Sequence, residues 1–305
     1  MNEYRNVYAV SDIHGNLPKI EDEFDLLLIA GDITPALWGY YSKSVQWDWI
    51  IDEFKQWIDS LPYRTSWSKV FIVPGNHDKV FENLSNPERL ELQLKLGGRC
   101  ELLIHEEKIF TEITEDNKSI EYRIFGTPYC KMFGNWAFMR YDSFLTERFN
   151  EIPEGLDFLV THDPPTLNGM GKITQGRQRG KEAGNELLSK RILEVKPKFV
   201  FSGHIHSGNH NLEEIEGIQM ANVAYVDENY QTSVEGIFAC GNALHVHDLV
   251  DNVTKEARIA GFFASEYIKN DSKNNEMKQV KTDKNISYII PNVVNTNAKD
   301  LTLKF

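Results

Sequence analysis

The stretch FSGHIHSGNH, residues 201 to 210, ends a short apolar run in two imidazoles one residue apart, His204 and His206. Alone, such a pair carries little information, because histidine is common in polar loops. Four other segments supply matching side chains: Asp12 and His14 in SDIHGN, Asp32 in GDIT, Asn76 and His77 in PGNHD, and His162 in THDPP. The pooled donors are carboxylates, imidazoles and an amide, without a thiolate. That set suits Mn, Fe, Zn or Ni, with Mn favoured, over an ion selected by sulfur. Asp12, His14, Asp32, Asn76, His162, His204 and His206 are too many for one ordinary ion and fit two divalent ions sharing a carboxylate. Such pairs lie roughly 3.5 to 4 Å apart and clamp both oxygens of an in-line displacement at phosphorus, with metal-bound hydroxide as the nucleophile.

Spacing refines the roles. Side chains two apart on extended backbone share a face, which predicts that Asp12 and His14 point together, as can His204 and His206. Adjacent residues point apart, so Asn76 can ligate while His77 stays near the leaving-group oxygen, able to donate a proton. Asp78 is a candidate catalytic residue that would orient that ring. Arg177 and Arg179, in the glycine-punctuated GKITQGRQRG, and Asn16 are candidate substrate contacts. His105 and His210 read as surface residues, and Trp47, Trp49 and Trp57 as helix-packing core. Asp163 reads as a turn-forming or solvated carboxylate as readily as a catalytic one.

Five elements must bring these side chains together. VYAV, LLLIA, VFIV, FLV and FVF each feed directly into one of the polar clusters. Runs this short and this apolar are expected as strands buried on both faces. Helical patterns lie between them, at 44 to 61 and 182 to 195, which predicts a layered α/β domain. In open α/β sheets the functional crevice lies beyond the carboxyl ends of the strands, where all five clusters sit. Residues from about 100 to 125 are expected to form a β-hairpin or meander.

Composition limits the function further. The 305 residues carry a formal charge of -12, which disfavours broad neutralisation of duplex nucleic acid. A small phosphate-ester substrate would draw its positive counter-charge from metal ions. The amino-terminal residues do not read as a secretory signal, and no run of eighteen apolar residues suggests a membrane span. Cys100, Cys130 and Cys240 are widely separated, which fits a reducing cytoplasm. Oligomeric state is left open.

In order, DIH, GD, GNHD, THDPP and GHIH resemble the five blocks of the calcineurin-like metallophosphoesterase superfamily. The resemblance implies one metal held by Asp12, His14, Asp32 and His206, and a second held by Asp32, Asn76, His162 and His204. It also implies a four-layer α/β/β/α sandwich over residues 1 to 226. GTPYCKMFGNWAF (126 to 138), together with THDPP, is similar to the subgroup that includes the mammalian brain metallophosphoesterase-domain proteins, associated with cyclic-nucleotide phosphodiester hydrolysis. GDITP lacks the GDxxDRG form of the Ser/Thr protein phosphatases, and Asp163 stands where relatives often have Gly.

Residues 227 to 305 form a C-terminal extension. Its stretch from 227 to 268 resembles the end of the FAD domain in pyridine-nucleotide-type flavoprotein oxidoreductases, with Asn242 where those enzymes usually have an acidic residue. A flavin site also needs a G-x-G-x-x-G turn. GMGKIT (169 to 174) lacks the third glycine, so FAD is not expected, and His245 and His247 receive no metal role. The expected function is a binuclear metal-dependent phosphoesterase acting on a small, nucleotide-like phosphodiester or phosphomonoester. A non-catalytic metal-binding scaffold and a flavin-dependent oxidoreductase are the alternatives; substituted ligands would mark the first and a dinucleotide fingerprint the second.

Overall fold

A computed structural model describes residues 6–17, 20, 23–35, 42–113, 118–174, 179–206, 208–209 and 212–223, with two short strands near the C-terminus. The elements in chain order are β1 (Val7–Val10), β2 (Leu26–Ala30), α1 (Lys43–Trp49), α2 (Lys55–Ser60), β3 (Lys69–Val73), α3 (Asn86–Leu96), β4 (Cys100–Leu102), β5 (Glu106–Ile113) and β6 (Ser119–Thr127). Next come β7 (Cys130–Lys131), β8 (Met139–Arg140), α4 (Asp142–Asn150), β9 (Phe158–Thr161), α5 (Glu186–Val195), β10 (Phe199–Ser202), β11 (Glu213–Ile215) and β12 (Ile218–Asn222). The extension contributes β13 (Met277–Gln279), paired antiparallel with β14 (Val293–Asn295). The rest of it, including Asn242, His245 and His247, lies outside the described residues.

Two sheets organise the domain. The first has the order β1-β2-β3-β4, and every pairing in it is parallel. The second has the order β11-β12-β10-β9-β6-β5; its central pairs are parallel, and β11 and β5 close its edges antiparallel. Strand alternation explains why both faces of the central strands are apolar. In β2, Leu27 and Ile29 face one cluster, formed with Ile50, Phe54 and Ile58 of the α1–α2 segment and Leu92 of α3. Leu26, Leu28 and Ala30 face the opposite way, meeting Phe71, Ile124, Phe158 and Val160 between the two sheets. On the far side, Leu159 and Val200 pack against Leu145 and Phe149 of α4 and Leu188 and Ile192 of α5. Three apolar layers therefore separate four structural ones, the α/β/β/α order that the motif resemblance implies.

Two local expectations change. The helical pattern at 44 to 61 forms a π-helical turn at Ile50–Phe54 between α1 and α2. Ile50, Phe54 and Ile58 recur every four residues and are almost fully buried. In a uniform 3.6-residue helix that row would drift slowly around the axis within the apolar face, and the wider turn brings it closer to a single line along the core. Trp49 and Trp57 are buried in the same layer, with Trp47 packed partly against it. The second change concerns residues 100 to 125. β5 and β6 form the expected antiparallel hairpin, whereas β4 joins the first sheet by pairing with β3.

Helix ends follow local chemistry. Ser85 and Glu88 form a capping box at α3, which has Pro87 in its first turn. The Asn185 side chain accepts from Leu187 and Leu188 N–H at the start of α5. No helix among the described residues is long and apolar enough to cross a membrane.

The interlayer aromatics make the sheet-on-sheet packing testable. Phe71 is 2% exposed and meets Phe110 edge to face at 6.4 Å. Phe71→Ala is expected to lower unfolding free energy by about 3–5 kcal/mol. Leu90→Ala, at a position 62% exposed, should stay within about 0.5 kcal/mol of the parent. Equilibrium urea denaturation measures both.

Candidate metal centre

The loops after β1, β2, β3, β9 and β10 converge at one end of the seam between the sheets. Asp12, His14, Asp32 and His204 all have positive φ, at 53°, 43°, 54° and 67°. Such backbone costs a non-glycine residue roughly 1–3 kcal/mol and persists where surrounding structure fixes it. Here the loop after β1 is zipped to the loop after β2: Asp12 N–H donates to Gly31 C=O at 2.9 Å, His14 N–H to Asp32 C=O at 2.9 Å, and Gly15 N–H to Ile33 C=O at 2.8 Å. Asp12 and His14 therefore converge through left-handed turns, and strand alternation is not the cause. Two glycines admit the close approach. A Cβ on Gly31 would stand 2.2 Å from His162 Nδ1, and one on Gly75 would stand 2.1 Å from Asp32 Oδ1.

The side chains form two groups. Asp12, His14 and His206 offer donor atoms within 4.8 Å of one another, and so do Asp32, His162 and His204. His204 and His206 thus part company, contrary to the alternation argument, because the left-handed backbone at His204 turns the chain between them. Asp32 faces both groups, with Oδ1 3.4 Å from His162 Nε2 and Oδ2 3.8 Å from His14 Nε2. Asn76 Oδ1 lies 2.9 Å from the same His162 nitrogen. His206 Nε2 lies 3.1 Å from Asp12 Oδ1.

This donor set fits divalent ions. Bonds of about 2.1 Å put neighbouring ligands about 3.0 Å apart in an octahedron and about 3.4 Å apart in a tetrahedron. The contacts from Asp12, Asp32 and Asn76 to His206 and His162 fall on that scale. His162 Nδ1 donates to Ala30 C=O at 2.8 Å, which fixes the tautomer and leaves Nε2 facing the donors. His14 Nδ1 is buried without a hydrogen-bond partner among the described residues.

Electrostatics match. Burial opposes ionisation of Asp12 and Asp32, yet His206 beside the first and His162 beside the second hold both carboxyls well below their usual range. Burial likewise disfavours protonated His162, but the Asp32 charge outweighs it and pushes the ring up to about 10. Burial dominates at His14, lowered to about 4, and at His204, lowered to about 3 with His162 adding repulsion.

The remaining predicted site residues separate. His77 stands at the centre: its ring meets the His14 ring edge to face at 4.9 Å, and its Nε2 lies 3.9 Å from Asp32 Oδ2. Asp78 does not orient it. That carboxylate is fully buried and accepts from Ile33, Thr34 and Gly75 N–H and from the Thr34 hydroxyl, bracing the loops after β2 and β3. Asp163 is also buried, accepting from Lys131 N–H and Asn185 Nδ2 at 2.9 Å each. It is a brace, neither solvated nor aimed at the donors. Asn16 is exposed next to the His14 turn, Arg179 lies in an exposed turn, and Arg177 and His210 are outside the described residues. The His105 side chain is only 6% exposed, between Thr127 Oγ1 at 3.0 Å and Glu151 Oε2 at 3.2 Å, so it is not a surface residue.

Two supports have no counterpart among the sequence candidates. Buried Gln46 of α1 donates to His77 C=O and accepts from Val80 N–H, both at 2.8 Å. Buried Asn222, at the end of β12, donates to Gly203 C=O at 3.2 Å and Ile205 C=O at 3.0 Å, holding the turn that carries His204. Neither carries the signal that marked the other loops: Asn222 ends a strand that Gln219 interrupts, and Gln46 lies within a helical pattern.

The Asp78 brace predicts a stability effect. Asp78→Ala would strand buried N–H groups, and is expected to cost about 2–4 kcal/mol in urea unfolding. A residue whose only task was orienting His77 would lower turnover and leave the unfolding midpoint in place.

The calcineurin-like phosphoesterase family model matches residues 5–208. The chain is similar to metallophosphoesterase domain-containing protein 1 of Homo sapiens and of Mus musculus, each 29% identical over an alignment of 225 positions that covers 67% of this chain. The chain covers 61% of the length of these curated relatives. Among solved structures, a phosphopantetheinyl hydrolase from Mycobacterium tuberculosis aligns over 73% of this chain and 90% of its own, with 13% identity and a TM-score of 0.45. With the family model spanning most of the sandwich and every strand-end loop that carries the candidate metal-binding groups, the chain belongs to the calcineurin-like phosphoesterase family.

Proposed function

We propose that this chain is a binuclear metal-dependent phosphoesterase that hydrolyses a small, nucleotide-like phosphodiester or phosphomonoester. The observation that carries the reading is Asp32, which turns one carboxylate oxygen toward each of the two donor groups. Asp12, His14, Asp32 and His206 would hold one divalent ion, and Asp32, Asn76, His162 and His204 the other, with Mn favoured. Bound there, such ions supply charge neutralisation at phosphorus and acidify the attacking water.

The chain's own groups supply the rest. Asp12 Oδ2 accepts from His204 N–H at 2.9 Å, and Asp32 Oδ1 accepts from His77 N–H at 2.8 Å, so both carboxylates are fixed in orientation before any ligand arrives. The same Asp32 bond sets His77 against the site, and Gln46 holds the carbonyl of that residue from behind. His77 keeps 26% side-chain exposure, so its imidazole can reach a bound ester and donate a proton to the departing oxygen. Cys100 and Cys130 are buried thiols, consistent with a reducing, cytoplasmic setting.

The test uses the full chain stripped with EDTA and then given Mn²⁺. Turnover of p-nitrophenyl phosphate and bis-p-nitrophenyl phosphate is expected to return with the ion and to fall at least about a thousandfold in Asp32→Ala. Every group in the cluster spans the two sheets, so Mn²⁺ should also raise the melting temperature of the parent but not of that variant. No turnover and no thermal shift with Mn, Fe, Zn or Ni would discard the proposal.

His77 gives a sharper reading. His77→Ala is expected to cost about 10²–10⁴ in kcat on an alkyl phosphate, whose leaving oxygen needs the proton. The cost should be much smaller on p-nitrophenyl phosphate, whose leaving group departs as a stable anion. Equal losses on both esters would rule out the proton-donor role.

A further inference from the structure

The segment joining β7 to β8 carries two large aromatic side chains that no apolar layer claims. Phe133 is 64% exposed and Trp136 is 37% exposed. Each nonetheless lies against a histidine of the centre. The Trp136 ring centroid is 4.5 Å from that of His77, and the Phe133 centroid is 5.4 Å from that of His204. The two rings thus approach different parts of the cluster, since His77 adjoins His14 and His204 adjoins His162.

Their positions are built rather than incidental. Lys131 N–H donates to the Asp163 carboxylate before the aromatic pair, and Ala137 N–H donates to Asn76 C=O at 3.0 Å just after it. Beyond that, Phe138 N–H and the Arg140 guanidinium both donate to Glu82 Oε1, at 2.9 and 3.0 Å. Cys130 N–H donates to Phe138 C=O and Met132 N–H to Arg140 C=O, each at 3.1 Å, closing the stem. A stem tied at both ends to the loops of the metal centre thus presents two apolar rings to solvent beside the phosphate-handling groups. Exposed rings held this way offer stacking surfaces to any ligand with a planar group.

We propose that Phe133 and Trp136 are specificity-determining residues, stacking on the planar base of a nucleotide-like phosphoester while the metal centre takes its phosphate. The proposal rests on the phosphoesterase reading and names the substrate class, esters whose alcohol carries an aromatic base rather than plain sugar phosphates. Stacking is indifferent to base identity, because every base has a π-face, so purine and pyrimidine nucleotides are both accepted. Asp163, in the fourth motif, holds the Lys131 end of the segment that carries both rings.

Adenosine 5′-monophosphate and ribose 5-phosphate share a leaving oxygen and differ by the base, so their ratio of kcat/KM isolates stacking. With this 305-residue chain loaded with Mn²⁺, that ratio should favour the nucleotide by roughly ten-fold or more and fall about ten-fold in Trp136→Ala and in Phe133→Ala, mainly through KM. Trp136→Phe keeps a ring and should retain most of the preference. An unchanged ratio in both alanine variants, with turnover persisting, overturns the proposal and leaves the phosphoesterase reading intact. A second readout does not depend on turnover. Quenching of tryptophan fluorescence by adenosine 5′-monophosphate, but not by ribose 5-phosphate, should be present in the parent and lost in Trp136→Phe. Equal quenching in both proteins overturns the stacking assignment even if neither ester is hydrolysed.

Discussion

Two carboxylates buried side by side at the seam of two sheets set the terms for everything around them. Asp12 is 1% exposed and Asp32 2%, and an isolated buried carboxylate is so costly that it would take up a proton instead. Both stay ionised because an imidazole that favours its proton abuts each of them, His206 beside Asp12 and His162 beside Asp32. Cations placed among these donors would do the same work more completely, since a divalent ion neutralises two carboxylates at once. The strained turns at Asp12, His14, Asp32 and His204, and the close backbone approach at Gly31 and Gly75, are what bringing these groups into contact requires.

The layered architecture makes that contact possible. The first sheet delivers Asp12, His14, Asp32, Asn76 and His77 from the ends of β1, β2 and β3, and the second delivers His162, His204 and His206 from β9 and β10. Each donor group therefore mixes residues of both sheets. Cross-sheet bonds repeat the pattern in the backbone, with His162 Nδ1 on Ala30 C=O and His204 N–H on the Asp12 carboxylate. The position of one sheet on the other, fixed by Phe71, Phe110, Phe158 and their neighbours, is thereby also the geometry of the site.

Much of this was legible from the chain alone, for a physical reason. An apolar run that ends in a polar cluster stands out, and all five runs became β1, β2, β3, β9 and β10, although β1, at a sheet edge, buries only Val10 and leaves Val7 exposed rather than being covered on both faces. The side-chain pattern carried less about backbone geometry. Aspartate and histidine enter left-handed turns more readily than most residues, but nothing local to SDIHGN distinguishes such a turn from an extended segment. The π-helical turn was hidden for a related reason, because the row Ile50, Phe54, Ile58 reads as an ordinary amphipathic face until the sheet fixes its direction. Partners distant in sequence were the least visible. Asp78 lies beside His77 in the chain, yet its acceptors are spent on Ile33 and Thr34, more than forty residues earlier.

The motif aspartates show how one residue type divides into two roles under equal burial. Asp12 and Asp32 each accept one backbone N–H, and their remaining acceptor capacity faces imidazoles, which hold both below the usual carboxylate range. Asp78 and Asp163 are as deeply buried, but their partners are neutral N–H and O–H donors. Burial, with the Asp32 charge added at Asp78, raises both to about 6 against the pull of those bonds. Neutral donors fix a carboxylate in place without offsetting its charge, whereas imidazoles that can shed a proton leave room for a cation. The first pair thus faces the two donor groups and the second braces the frame. Asp163, which ties the β7 stem to the cap of α5, links that frame to the aromatic rings beside His77 and His204.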